Sequence, residues 1–300
     1  MLLNTRGSAV VLAILAGCGG AAAQKKAAPA EVVDVGDAGK AARGVVTEIY
    51  GDLRRGDIGG VQSLLAPDAF IVGPGAGDVF LDRADAVVAL GGFLRSGDRH
   101  KLASKRLAVV VAPGGHAAWA SDTLEVEGVP VALTAVLVES DGLWTVELVH
   151  VGRVLGEGER ERASKARGEV AAAAPPAAGE AVKLYKAALA APAAFVEQWG
   201  TGADVLWLGV GPKEAVRGTK AIKKAWKKRY PEAPRMALVG NLRAGATPDG
   251  GLVWIFATVD VSGEGGKQPY RELAIYAHEG VGKAATWKLV ALHDALVVGK

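Results

Sequence analysis

The chain has 300 residues, of which 50% are hydrophobic, and a formal net charge of +3 at neutral pH. Because domains contain roughly 100–200 residues, this length predicts two domains, each with enough apolar residues for its own core. The small charge excess argues against a nucleic-acid partner.

The first 18 residues are typical of a leader for export. Arg6 precedes a short apolar run, residues 9–16, which is too short to span a bilayer about 30 Å thick. The run ends in LAGC, which resembles the lipobox of bacterial lipoproteins. That resemblance implies acylation of Cys18 and a membrane partner reached through the lipid. An ordinary signal peptide or a membrane anchor with an incidental cysteine is the alternative.

Residues 19–37 begin with glycine, alanine and lysine and predict a flexible tether. Gly19 stands where an aspartate would resemble an inner-membrane retention signal, so we expect an outer-membrane protein that faces the periplasm. Cys18 is the only cysteine, so the mature domains have none for a disulfide, a metal cluster or a thiol nucleophile.

An internal repeat organises the remainder of the chain. A shift of 135 residues aligns Tyr50 with Tyr185 and Trp119 with Trp254, and a shift of 143 aligns the two closing W-x5-H segments. A charged, then Ala/Pro-rich stretch between the copies is typical of a linker. The predicted organisation is a first domain at 38–155, a linker at 156–177 and a second domain at 178–300.

Each copy shows the same order of elements. An amphipathic helix, a short helix, a strand and a third helix are followed by four segments of strand character. This order predicts an α+β fold in which three helices pack on one curved antiparallel sheet.

With AWASDTLEV, the turn at Asp141 and Gly142 and the closing W-x5-H, each copy resembles the SnoaL-like branch of the NTF2-like superfamily. The resemblance implies two tandem cones, each with a pocket between its helices and its sheet. Such cones serve polyketide cyclases, ketosteroid isomerase and dehydratases, and also non-catalytic binding and dimerisation modules, so the fold alone does not select a function.

The closing strands carry the first candidate site residues. Alternation places Trp144, Val146 and His150 on one face, and the equivalent residues of the second copy, including His293, on another such face. We predict that each tryptophan is a core residue. His150 and His293 are either neutral core histidines or pocket residues that serve as donors or general bases.

The strand-like segment GLVWIFATVDVSG, residues 251–263, has one wholly apolar face, so we predict that this face is the inward one. Trp254, Phe256, Thr258 and Asp260 would then lie on the outer sheet face, through which the two domains, or two copies of the chain, could pack. A pocket acid at Asp260 is the alternative.

A polar row in the second copy is the better candidate for catalysis. Glu272, Tyr276 and His278 share a strand face with Tyr270, whereas the first copy offers only Tyr50 and no evident inward Asp/Tyr pair. Such a row is also what many sheets present to water.

A lysine-rich helix is predicted earlier in the second copy. Ile222 and Trp226 predict its buried stripe and leave a solvated basic face, for which contact with anionic lipid or envelope polymer is the alternative. The face consists of Lys220, Lys223, Lys224, Lys227 and Lys228.

No phosphate loop, zincin motif or G-x-S-x-G occurs, so we expect neither cofactor nor metal. The sequence favours a non-catalytic envelope module with a small apolar ligand. A cyclase, isomerase or dehydratase in the second domain and a purely structural envelope protein are the alternatives.

Overall fold

The computed structural model describes residues 36–94, 100–161, 163, 172–230, 232–263, 266–279 and 285–298. The predicted leader, Cys18, nearly all of the tether and part of the linker lie outside the described residues. The predictions made for them therefore stay predictions.

The first half of the chain forms three helices and seven strands among its described residues. They are α1 (Gly36–Arg55), α2 (Ile58–Leu64), β1 (Leu65–Val72), β2 (Val79–Phe80), α3 (Arg83–Leu94), β3 (Leu102–Ser104), β4 (Ala108–Val111), β5 (Ala117–Val126), β6 (Val129–Ser140) and β7 (Leu143–Arg153).

The second half repeats this order with longer strands. Its elements are α4 (Glu157–Glu161), α5 (Gly179–Ala190), α6 (Pro192–Phe195), β8 (Leu206–Leu208), β9 (Ala215–Arg217), α7 (Thr219–Arg229), β10 (Arg235–Ala246), β11 (Leu252–Gly263), β12 (Gly266–Glu279) and β13 (Thr286–Ala295). Two 3₁₀ turns, Pro176–Ala178 and Val196–Gln198, flank α5 and α6.

The predicted α+β class, with two sheets and packed helices, is confirmed. The sheet orders are β2-β1-β7-β6-β5-β3, with β4 also on β5, and β10-β11-β12-β13-β8-β9. Both sheets are mixed rather than wholly antiparallel, because β1 lies parallel to β7 and β8 parallel to β13. Each parallel contact joins the first strand of a half to its last one, after a connection long enough to cross over.

The helices of each half pack on one face of its own sheet. On α1 the side chains of Val46 and Tyr50 are buried against β5, β6 and β7, and on α5 Tyr185 and Leu189 are buried against the second sheet. These positions are one helical turn apart, as the apolar stripe predicted. Full burial of such a side chain contributes about 1.5–3 kcal/mol.

A β-bulge interrupts the last strand of the first half. Leu137 pairs with Val146 but Val136 pairs with Leu148, which leaves Glu147 as an extra residue on β7. Because one extra residue reverses the alternation of side chains, the residues beyond the bulge face the opposite side.

The second half has the equivalent bulge, 143 residues later. Tyr276 pairs with Leu289 and Ile275 pairs with Ala291, so Val290 is the extra residue on β13. Leu289 faces the helices and Ala291 faces away from them. The predicted common face for the tryptophan and the histidine of each closing strand is therefore wrong, and the two bulges are the physical reason.

The sheet faces that point away from the helices pack on each other. Phe70 stacks on Trp254 with 5.7 Å between ring centroids and meets the edge of Phe256 at 5.3 Å. The indole nitrogen of Trp254 donates to Glu147 Oε1 at 2.9 Å. A Cβ on Gly152 would lie 2.6 Å from the Cβ of Ala295, so glycine lets the two closing strands approach closely.

Candidate functional site

The cone of the first half contains an apolar cavity of about 170 Å³. Its walls come from α1, α2 and α3 and from the helix-facing side of the sheet. They are almost entirely aliphatic and include Val46, Leu53, Leu133, Ala135, Val149 and Val151. A cavity with such walls and few polar groups excludes water and favours an apolar ligand.

Tyr50 brings a polar atom to this cavity. Burial raises the pKa of its hydroxyl, and the neighbouring Asp122 raises it further through its charge and a hydrogen bond. Asp122 itself accepts from the Ser104 hydroxyl and from the Arg106 amide. The carboxyl is buried, and burial raises its pKa as well.

Asp122 was not predicted as a site residue. It lies two residues from Leu124 on β5, and Leu124 faces the cavity, so alternation was the signal that could have identified it. With Tyr50 it forms the inward Asp/Tyr neighbourhood that the sequence did not suggest for the first half.

The loop between β1 and β2 completes one side of the cavity. Gly73 and Pro74 line the cavity, and Asp78 closes the loop by accepting from the amide of Gly75 at 2.7 Å. From the second half, the guanidinium of Arg271 donates to carbonyl oxygens of this same loop.

Among the described residues of the second half, aromatic side chains occupy the cone. Phe195 stacks on Trp226 at 5.1 Å, and Trp207 lies 5.5 Å from the same ring. Trp199, Tyr185 and Tyr276 are buried in this cluster too. The predicted inward face of β11 is confirmed, since Val253, Ile255, Ala257 and Val259 belong to the cluster.

A pair of carboxyl groups lies in this filled cone. Glu272 on β12 and Asp294 on β13 are direct cross-strand partners, and both are buried. The Tyr185 hydroxyl donates to Glu272 at 2.9 Å, and the Trp207 indole donates to Asp294 at 2.9 Å. Burial raises the pKa of both carboxyls, and the Asp294 charge raises that of Glu272 further.

Charged and aromatic groups surround the carboxyl pair. Arg229 lowers the pKa of both carboxyls, donates to Glu214 and to the Tyr270 hydroxyl, and lies over the Trp207 ring. Such a cluster of titratable groups with shifted pKa values is a candidate site for acid–base chemistry, although aromatic side chains surround it.

The predicted polar row of β12 is thus only partly brought together. Glu272 and Tyr276 face the filled cone, where Tyr276 donates to Gln198 at 2.9 Å. His278 lies half-buried against Trp287, at 3.9 Å between ring centroids, near the end of the strand. It is separated along β12 from Glu272, whose cross-strand partner is Asp294 rather than Trp287.

His150 and His293 do not lie in either cone, contrary to the pocket prediction. The bulges turn both toward the contact between the sheets, where their rings are 4.3 Å apart and His150 meets the edge of Phe256. Neither ring has a hydrogen-bond partner among the described residues. Burial lowers the pKa of both, and for His150 the neighbouring His293 and Arg271 lower it further.

The lysines of α7 lie as the helical pattern predicts. Ile222 and Trp226 are buried, and four of the five lysines are exposed. Lys223 is half-buried and pairs with Glu197 at 2.9 Å. Contact with an anionic surface stays a prediction.

The described residues contain neither a candidate metal centre nor a candidate membrane span. No three or more His, Cys, Asp or Glu side chains are grouped there so that they could hold a metal ion. None of the helices in these ranges is long and apolar enough to cross a membrane.

Comparison with known proteins gives a family match for part of the chain. Residues 43–152 match the family described as the SnoaL-like domain. An uncharacterised protein with a cystatin-like fold from Caulobacter vibrioides is similar at 21% identity and TM-score 0.37, over 42% of this chain and 96% of that one. An NTF2-like protein of unknown function from Pseudomonas putida KT2440 is similar at 15% identity and TM-score 0.37, over 45% and 96%.

A provisional dehydratase of the NTF2-like family from Streptomyces avermitilis is similar at 18% identity and TM-score 0.35, over 39% of this chain and 97% of that one. No curated protein sequence matches the chain. The family match therefore lies within the first half of the chain, and the α+β architecture consists of two mixed sheets with packed helices.

Proposed function

We propose that the chain is a membrane-tethered binding protein whose first-half cone holds a small apolar ligand. The observation that carries this proposal is the cavity of about 170 Å³ with aliphatic walls. An apolar cavity of about 150 Å³ is large enough for a benzene ring, and dry cavities of this kind bind apolar molecules. The ligand would thus be about the size of one substituted ring.

The contrast between the halves supports binding in the first one. Ala135 and Ala274 hold equivalent positions, since Ala135 pairs with Ala120 and Val149 while Ala274 pairs with Ile255 and Leu292. Ala135 lines the cavity, whereas Ala274 is buried in the aromatic cluster. The same substitution at these two sites therefore tests an open cone against a filled one.

We expect Ala135→Phe to weaken binding of fluorobenzene at least tenfold while it leaves the melting temperature unchanged or raised, because the new ring occupies the cavity. Ala274→Phe should instead destabilise the fold by about 1–3 kcal/mol through overpacking and leave binding intact. Ligand-observed ¹⁹F NMR and urea unfolding of the full chain measure the two quantities. Equal fluorobenzene affinity of Ala135→Phe and the wild type would refute the proposed site.

The tether is the second part of the proposal. We expect Cys18→Ser to abolish lipid modification and move the protein from the membrane to the soluble fraction, because the lipid would be attached to the thiol of the lipobox cysteine. Mass spectrometry and membrane fractionation measure the result. Unchanged membrane retention would contradict the lipobox, while the ligand site would be unaffected.

Acid–base chemistry at Glu272 and Asp294 is a second candidate function. The two buried carboxyls with raised pKa, beside Tyr185, Arg229 and Trp207, are the observation that favours it. A group with a pKa near neutrality is suited to proton transfer. Binding in the first half is the stronger proposal, because the aromatic cluster occupies the space around these carboxyls.

A further inference from the structure

We infer that Arg271, which belongs to the second half, is a positioning residue for the ligand cavity of the first half. Its guanidinium fixes the loop of residues 73–78, in which Gly73 and Pro74 form part of the cavity wall. The inference rests on the proposed function, and it makes ligand retention in the cavity depend in part on the second half of the chain.

The contacts of Arg271 converge on the loop backbone. Nη1 donates to the carbonyl oxygens of Gly73 at 2.8 Å and Gly75 at 2.7 Å, and Nη2 donates to that of Ala76 at 2.9 Å. A second connection comes from near the end of the chain, where the amide of Val298 donates to the carbonyl of Pro74 at 2.9 Å. The carbonyls of all residues from 73 to 76 are thus held by atoms of the second half.

The loop is shaped to present these carbonyls. The Gly73 amide donates to the carbonyl of Asp78, and the Gly75 amide donates to its carboxylate. A Cβ on Gly73 or Gly75 would lie 2.8 or 2.7 Å from Asp78 atoms, so only glycine fits at either position. Glycine at these two positions therefore lets Asp78 close the loop.

Arg271 is a poor choice of residue for packing alone. Its side chain is 1% exposed, and burial lowers its pKa to about 10. An apolar side chain would join the two sheets without the desolvation of a charge. The planar fork of five donors, by contrast, is suited to holding several carbonyl oxygens in one geometry, and neither an apolar group nor lysine reproduces that.

The consequence is that part of the cavity wall is held in place by the second half of the chain. Loss of the guanidinium would release the carbonyl of Gly73, next to Pro74, and a wall that moves lets a ligand leave more quickly. Dissociation of the ligand should therefore depend on Arg271, although Arg271 itself does not line the cavity.

Fluorobenzene exchange in the full-length chain tests this inference. Arg271→Met should raise the dissociation rate measured by ¹⁹F NMR at least tenfold and weaken binding, and Arg271→Lys should give an intermediate rate. Hydrogen–deuterium exchange of residues 73–78 should accelerate in both variants. The matched control is Arg243→Met, since Arg243 lies 5.1 Å from the Phe70 ring in the same contact between the halves. Its exchange rate should stay within twofold of the wild type.

Two outcomes overturn the inference in different ways. If the wild type binds fluorobenzene and Arg271→Met loses stability with an unchanged dissociation rate, Arg271 is structural only. If the methionine variant does not fold, an unchanged rate in Arg271→Lys leads to the same conclusion. A wild type that binds no fluorobenzene would remove the proposed function, and this inference with it.

Discussion

Replacing His150 and His293 with leucine should stabilise the protein relative to the wild type by several kcal/mol more at pH 4 than at pH 7. Both rings are buried at the contact between the sheets, and burial lowers the pKa of His293 to about 3 and that of His150 well below its usual value. In the unfolded chain both titrate near 6.5.

The direction of this pH effect follows from which state of the chain binds the protons. Below pH 6.5 the two histidines bind protons in the unfolded chain but stay neutral in the folded chain. The stability that the neutral rings contribute is therefore complete above pH 6.5 and is lost as the pH falls toward 3. Each pH unit costs about 1.4 kcal/mol per histidine. Arg271 is the charged group that acts on His150, and it disfavours protonation further.

Urea unfolding at several pH values from 4 to 8 measures this effect. The unfolding free energy of the double variant His150→Leu and His293→Leu, relative to that of the wild type, should rise by several kcal/mol as the pH falls below 6.5. The exposed His116, which pairs with Glu139, provides the control, and His116→Asn should change the slope far less, because an exposed ion pair contributes little to stability. A double variant that keeps the same slope would mean that other groups control acid stability.

Glu272→Gln should stabilise the protein by about 4 kcal/mol at pH 8, an effect that should vanish below pH 4.5. Burial raises the pKa of Glu272 to about 8 in the folded chain, against a usual value of 4.5. The folded chain therefore holds a proton that the unfolded chain releases, and stability falls as the pH rises between these values. Each unit of that interval corresponds to about 1.4 kcal/mol.

The amide of the Glu272→Gln variant can still accept from the Tyr185 hydroxyl, so the variant removes the ionisation without removing the hydrogen bond. Unfolding free energies of variant and wild type at pH 4, 6 and 8 give the difference. Glu197→Gln, on the exposed Lys223 pair, should change stability little at any of these values. A less stable Glu272→Gln at pH 8 would show that Glu272 is ionised and compensated in the folded chain.

Much of the fold could be predicted because it depends on periodicity. The helical stripe of Val46 and Tyr50 and the apolar face of β11 are repeating patterns, and repeating patterns are what a sequence displays most clearly. The bulges at Glu147 and Val290 could not be predicted in this way. One extra residue in a strand changes the pairing but leaves no mark in composition, and it moved both histidines from the predicted pockets to the contact between the sheets.

The position of the cavity depends on side-chain volume, which alternation does not reveal. Five of the seven tryptophans lie after residue 198, and Trp199, Trp207 and Trp226 fill the second cone. That imbalance was visible in the sequence and could have indicated which cone is open. The Tyr50 and Asp122 neighbourhood required the three-dimensional contact between α1 and β5.

The hydrogen bond from Trp254 to Glu147 has no counterpart across the contact between the halves. Its equivalents by the repeat are Trp119 and Val290, and a valine side chain accepts no hydrogen bond. In a symmetric dimer of identical chains every contact across the interface occurs twice, so a hydrogen bond present on one side only would not arise. Joining the two copies in one polypeptide releases them from that constraint, and each copy is free to specialise.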